Sequence, residues 1–151
     1  MISESVCMIY SDQIRKACNI LFEAHKDDVD KGGYPYVFHP FYLATQMDDE
    51  ESVCVALLHD VIEDHGDKYS FELFEKEGFS VGIINALRLL THAKDVPYME
   101  YIEAIAKNPL ARKVKIADLK HNLDERRIDG DKPKKHDIYI QALDYLLELD
   151  S

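Results

Sequence analysis

Apolar residues recur at helical spacing in segment after segment of this chain, and no stretch alternates with period two for long enough to make a strand. After Ser11, the residues Ile14, Ala17, Cys18, Leu21, Phe22 and His25 fall at i, i+3, i+4, i+7, i+8 and i+11, one face of an amphipathic helix. Lys31-Gly32-Gly33-Tyr34-Pro35 is a break, and a new helix is expected from Pro40. A third helix is expected from Asp49 to Asp64, buried on most of its circumference around Ala56, Leu57 and Leu58. Ser70 and Ser80 are placed to cap two short helices, the first closed by Gly78. Tyr98, Tyr101, Ile102 and Ile105 repeat at helical spacing up to Asn108-Pro109, and Leu110 to Arg127 reads as a further helix. Asp129 to Pro133 is a turn, and Lys134 to Leu149 is the last helix, with Ile138, Ala142, Tyr145, Leu146 and Leu149 at core spacing. The expected fold is all-α.

With 151 residues, 46% of them hydrophobic, the chain can build one core that buries about two-thirds of its unfolded surface, so residues 1–151 are read as a single domain. No long uncharged apolar run and no basic, apolar leader is present, which predicts a cytoplasmic protein without a membrane partner. Cys7, Cys18 and Cys54 are widely spaced with no CxxC pair, so neither a disulfide framework nor a thiolate zinc site is expected. Cys18 and Cys54 are read as small buried hydrophobes. The net charge of −11 argues against nucleic acid as a partner. It also requires that any phosphorylated ligand be met by a metal and local Lys or Arg.

Chemistry concentrates in His59-Asp60-Val61-Ile62-Glu63-Asp64, which follows an apolar run. On a continuous helix His59 and Glu63, like Asp60 and Asp64, would be i, i+4 neighbours. Three clustered carboxylates repel one another, and a divalent cation would offset that cost. Imidazole and carboxylate donors suit a borderline or hard ion. His39, at a turn-to-helix junction, and Asp118, inside the apolar run Val114 to Leu119, are further candidate donors.

The blocks GGYPYVFHP, LLHDVIED and VKIADLKHNL, in that order, resemble the HD superfamily, specifically the hydrolase domain of RelA/SpoT-type and small alarmone hydrolases. The resemblance covers roughly residues 14 to 147. It implies a compact helical HD-domain fold and one metal, manganese in the first instance with iron, nickel or zinc as substitutes, held by His39, His59, Asp60 and Asp118. It further implies Glu63 and Asp64 as the catalytic carboxylates and a phosphorylated nucleotide as substrate. Lys31, Lys115, Asn122 and Tyr139 would then bind that substrate. The implied reaction removes pyrophosphate from the 3′ position of (p)ppGpp, the stringent-response alarmone, or hydrolyses a related phosphoester. A 5′-nucleotidase-like phosphatase and a non-catalytic nucleotide-sensing module are the alternatives. Homo-oligomerisation is left open.

The remaining histidines are read as less chemical. His25 is expected to be a hydrogen-bonded core residue, and His65, His92, His121 and His136 to lie at the surface or behind the ligands. Two departures from the family pattern bear on the substrate. Residues 26–31 (KDDVDK) carry three acids where the resemblance implies basic residues, and His65 stands where it implies threonine. The acidic segment should penalise a highly charged phosphate ligand unless Lys31, Lys115, Lys120, Arg126 or Arg127 offsets it.

Overall fold

The computed structural model describes residues 9–124 and 135–150. Among these residues the only β pairing is an isolated bridge between Val29 and Pro35, and all regular elements are helices. Helix α1 (Asp12–His25) begins at Ser11, whose hydroxyl accepts from the Ile14 amide, and buries Ile14, Ala17, Leu21, Ala24 and His25. Cys18 on this helix is only half-buried and Phe22 stays exposed. The next turn is closed by Asp30, whose Oδ1 accepts from the Gly32 and Tyr34 amides at 2.9 and 3.0 Å. Gly33 takes a φ of +85° there, a conformation that side chains with a Cβ avoid.

Helix α2 (Phe38–Thr45) starts two residues before Pro40. The proline remains within the first turn, where its missing N–H leaves no ladder bond unmade. Helix α3 (Glu50–Leu58) is capped by Asp49 and buried from Ser52 to Leu58 on every side. That burial follows from its position, since it packs against α1 and α2 and against two later helices, α6 (Val81–Leu90) and α8 (Pro109–Asn122).

The expected single helix from Asp49 to Asp64 is in fact two. It stops at Leu58, and α4 (Val61–His65) follows after a break at His59-Asp60. His59 Nδ1 donates to the Ala56 carbonyl at 2.7 Å, the acceptor that the Asp60 amide would take in a continuing helix. Asp60 sits at φ −109°, ψ −1°, and the ladder resumes with the Asp64 amide on the Asp60 carbonyl.

Ser70 and Ser80 cap α5 (Phe71–Lys76) and α6, and Gly78 closes the first of them at φ +91°. Helix α7 (Tyr98–Ala106) ends before Asn108, which caps α8 with Pro109 in its first turn. Helix α8 ends at Asn122, earlier than the periodicity suggested. The final helix α9 (His136–Asp150) buries Ala142 and Leu146. Leu149, expected in the core, is 48% exposed, because the last turn of α9 runs beyond the core. Cys7, Arg126, Arg127 and the turn at 129–133 lie outside the described residues. One apolar core joins residues of all these helices, and no helix among the described residues is long and apolar enough to cross a membrane.

Candidate metal centre

The break between α3 and α4 points His59 and Asp60 at the polar face of α8. His59 is 4% exposed, and its Nδ1 is committed to the Ala56 carbonyl, so Nε2 carries the lone pair when the ring is neutral. That Nε2 lies 3.2 Å from Asp60 Oδ2 and 3.5 Å from Asp118 Oδ1, yet makes no well-directed hydrogen bond to a described residue. A buried polar atom left so is unusual and calls for a ligand.

His39 arrives from the start of α2. Its Nε2 is 2.9 Å from Asp118 Oδ1, and His39, His59 and Asp60 each offer a donor atom within 4.8 Å of the others. Those three can hold a metal ion, and Asp118 adjoins both imidazoles. His39 Nδ1 is 2.7 Å from His121 Nδ1. For His39 Nε2 to act as a donor to a metal, Nδ1 must carry the proton and give it to His121, which fixes both tautomers. The His121 ring in turn stacks on Tyr42 with centroids 4.2 Å apart.

Asp118 is the meeting point of the cluster. Oδ1 accepts from Asn122 Nδ2 at 3.1 Å and faces both imidazoles, while Oδ2 accepts from Lys115 Nζ at 2.9 Å. Burial opposes its ionisation, but Lys115, His39 and His59 outweigh burial and hold its pKa well below the carboxylate range. Burial likewise opposes a charged His59, and Asp60 and Asp118 reverse this, raising its pKa well above the ordinary value. The cluster therefore favours positive charge at the point where the donors meet, and a divalent cation would supply it. Tyr36 donates its hydroxyl to Asp60 Oδ2 and so sits beside the same centre.

The two carboxylates of α4 differ in setting. Asp64 lies at the surface one turn after Asp60, and partial burial together with the charges of Asp60 and Glu63 pushes its pKa up to about 6. In chelator-treated protein, carbon NMR should find Asp64 titrating near that value, and added divalent ion should lower it, because a nearby cation favours the ionised form. No change on metal addition would separate Asp64 from the centre. Glu63 Oε1 accepts from the His92 backbone amide at 2.7 Å, so it reaches across to the loop after α6.

Of the other expected residues, Asn122 and Lys115 contact Asp118 directly, whereas Lys31 is exposed in the turn before α2. The Lys115 ammonium also lies over the rings of Tyr98 and Tyr101, at 5.9 and 5.3 Å. Tyr139 stands 5.8 Å from Tyr98, ring centroid to ring centroid, which brings α9 towards the same region. Two of the three acids of residues 26–31 are engaged within the fold. Asp28 is engaged by His25 and His65, and Asp30 closes its own turn. Tyr36, inside the PYVFHP block, was not singled out from the sequence. His121, read as lying at the surface or behind the ligands, stands behind His39, and it falls three residues after Asp118, a spacing that places both on one side of α8.

No family model matches the chain. It is 28% identical over 122 residues to the probable GTP pyrophosphokinase of Mycobacterium leprae, a match covering 73% of this chain and 15% of that protein. It is 27% identical over 124 residues to the guanosine-3′,5′-bis(diphosphate) 3′-pyrophosphohydrolase of Aquifex aeolicus, covering 76% of this chain and 18% of that one. The chain thus matches less than a fifth of the length of either relative. Among solved structures, a metazoan SpoT orthologue that hydrolyses ppGpp and plays a role in starvation responses matches with a TM-score of 0.73 and 26% identity. That match covers 95% of this chain and 88% of the other. In sequence over about three-quarters of its length, and in fold over nearly all of it, the chain is thus similar to RelA/SpoT-type hydrolase domains.

Proposed function

We propose that this chain is a single HD-type domain, residues 1–151, that removes pyrophosphate from the 3′ position of guanosine alarmones in the cytoplasm. The observation that carries the reading is the buried, undirected Nε2 of His59, facing Asp60 and Asp118 beside His39, in a fold that matches a ppGpp-hydrolysing protein. These four side chains would hold one divalent ion, Mn²⁺ in the first instance and Fe, Ni or Zn as substitutes. Such an ion would supply a Lewis acid for the phosphoryl group and its attacking water.

The chain's own residues account for the rest. Asp64, with a pKa pushed up to about 6, exchanges a proton near neutral pH and serves as the acid or base for the water and the leaving 3′ oxygen. Glu63, anchored by the His92 amide, adds the second carboxylate. In the reaction the bond between phosphorus and the 3′ oxygen breaks, water supplies the new oxygen on pyrophosphate, and the 3′ hydroxyl takes a proton. Lys115 keeps a buried positive charge beside Asp118, its pKa raised by Asp118 and the tyrosines against the effect of burial. Together with Asn122, Tyr139 and Lys31, it contributes to nucleotide binding. The sign is right for a phosphate ligand on a chain of net charge −11.

The test is a nucleotide panel assayed with chelator-treated and Mn²⁺-reloaded protein. Metal-dependent conversion of ppGpp to GDP and pyrophosphate is expected. Faster turnover of a nucleoside monophosphate would replace the reading with a 5′-nucleotidase. Binding of ppGpp without turnover would replace it with a sensing module.

A further inference from the structure

Away from the HD cluster, a second set of donor atoms converges on one carboxylate oxygen. His25 Nδ1, at the end of α1, lies 2.8 Å from Asp28 Oδ2. His65 Nε2, at the end of α4, lies 2.6 Å from the same oxygen. One donor atom from each residue lies within 4.8 Å of the other two. His25 is 1% exposed, and the side chains of His65 and Asp28 are 25% and 36% exposed. The group is thus anchored on its inner side and open on its outer side. A cavity of about 230 Å³ adjoins Asp28 and His65. Tyr36 separates this group from the HD cluster, with its ring 4.7 Å from that of His25 and its hydroxyl on Asp60.

We propose that His25, Asp28 and His65 form a second divalent-metal site, which takes a borderline ion such as Zn²⁺ and leaves its remaining position open to the adjoining cavity. Two imidazoles and one carboxylate are the donor set of a three-ligand zinc site, whose fourth position is taken by water or another small ligand. Both imidazole nitrogens already aim at one point, each sharing a proton with Asp28. A metal would take the place of those shared protons, each neutral ring then carrying its proton on its other nitrogen. With metal–ligand bonds of about 2.0–2.2 Å, donors in a tetrahedral site stand roughly 3.4 Å apart, so the contacts at 2.8 and 2.6 Å need to open by about 0.6 and 0.8 Å. The partly exposed Asp28 has room to make that adjustment, and the cavity has room for water. The centre is built from residues that lie outside the donor set of the HD cluster. It is independent of the alarmone reading, since neither imidazole belongs to the proposed hydrolytic centre.

The full-length chain, stripped with chelator and dialysed against Zn²⁺, should bind about two equivalents by elemental analysis. His65→Thr and Asp28→Asn should each retain about one, and Asp60→Ala about one, with almost none in the His65→Thr/Asp60→Ala double variant. Where a variant fails to fold by circular dichroism, the wild-type chain decides through NMR. Titrated Zn²⁺, which is diamagnetic and does not broaden signals from the HD centre, should then shift the imidazole signals of both His25 and His65. The proposal is overturned if the folded wild type saturates at one equivalent, if folded His65→Thr binds as much as wild type, or if Zn²⁺ leaves those two imidazoles unshifted. Loss of ppGpp hydrolysis without loss of the second equivalent would bear on the proposed reaction and leave this site standing.

Discussion

Asp118→Ala is expected to lose the metal of the HD centre, reduce turnover to background and destabilise the fold by about 3–5 kcal/mol, the range for removing one partner of a buried ion pair. The side chains of Asp118 and Lys115 are 6% and 12% exposed, so solvent screening does little to reduce that cost. Removing the carboxylate leaves Lys115 buried and charged with its principal acceptor gone, and takes from Asn122 and His39 the oxygen they share. Stability is read from denaturant unfolding and metal content by elemental analysis at saturating Mn²⁺. His59→Ala and Asp60→Ala should lose the same ion with a smaller stability penalty, because neither leaves a buried lysine unpaired. Full occupancy of the HD centre in Asp118→Ala, with the protein folded, would remove Asp118 from the ligand set. Because a second site is proposed, occupancy must be judged at the HD centre, most directly in a His65→Thr background.

Asp64→Asn and Glu63→Gln are expected to keep the metal and lose about a hundredfold in kcat, the scale of a missing general acid or base. The two substitutions probe different surroundings. Glu63→Gln retains an oxygen that can accept from the His92 amide, so the contact at 2.7 Å survives and a rate loss reports on charge rather than on the loop. Asp64→Asn removes the group whose pKa lies near 6, so the limb of the pH–rate profile that Asp64 contributes should vanish along with the rate. Wild-type rates in both variants on the true substrate would make the pair structural. The charge repulsion that raises the Asp64 pKa would then be no more than a consequence of crowding beside Asp60.

The boundary between what was legible in the sequence and what was not follows the range of the interactions. Helix starts at Ser11, Asp49, Ser70 and Ser80 could be read locally, because a cap bonds an amide three residues on. Gly78 as a stop has the same kind of cause, since one residue must take a positive φ. The ordered blocks around His39, His59-Asp60 and Asp118 pointed to the centre by their resemblance to a known pattern. What tertiary structure decided was how those blocks meet. His39 reaches Asp118 and His121 across 79 and 82 positions of sequence, Tyr36 reaches Asp60 across 24, and His65 reaches Asp28 across 37. The helix break at His59-Asp60 also belongs here, because a side chain takes a backbone acceptor only once packing has aimed it there. So does the diversion of Glu63 to the His92 amide. Periodicity and capping act within a turn or two of chain and can be read one segment at a time. Contacts between segments exist only after burial of α3 against α1, α2, α6 and α8 has set where each polar end arrives.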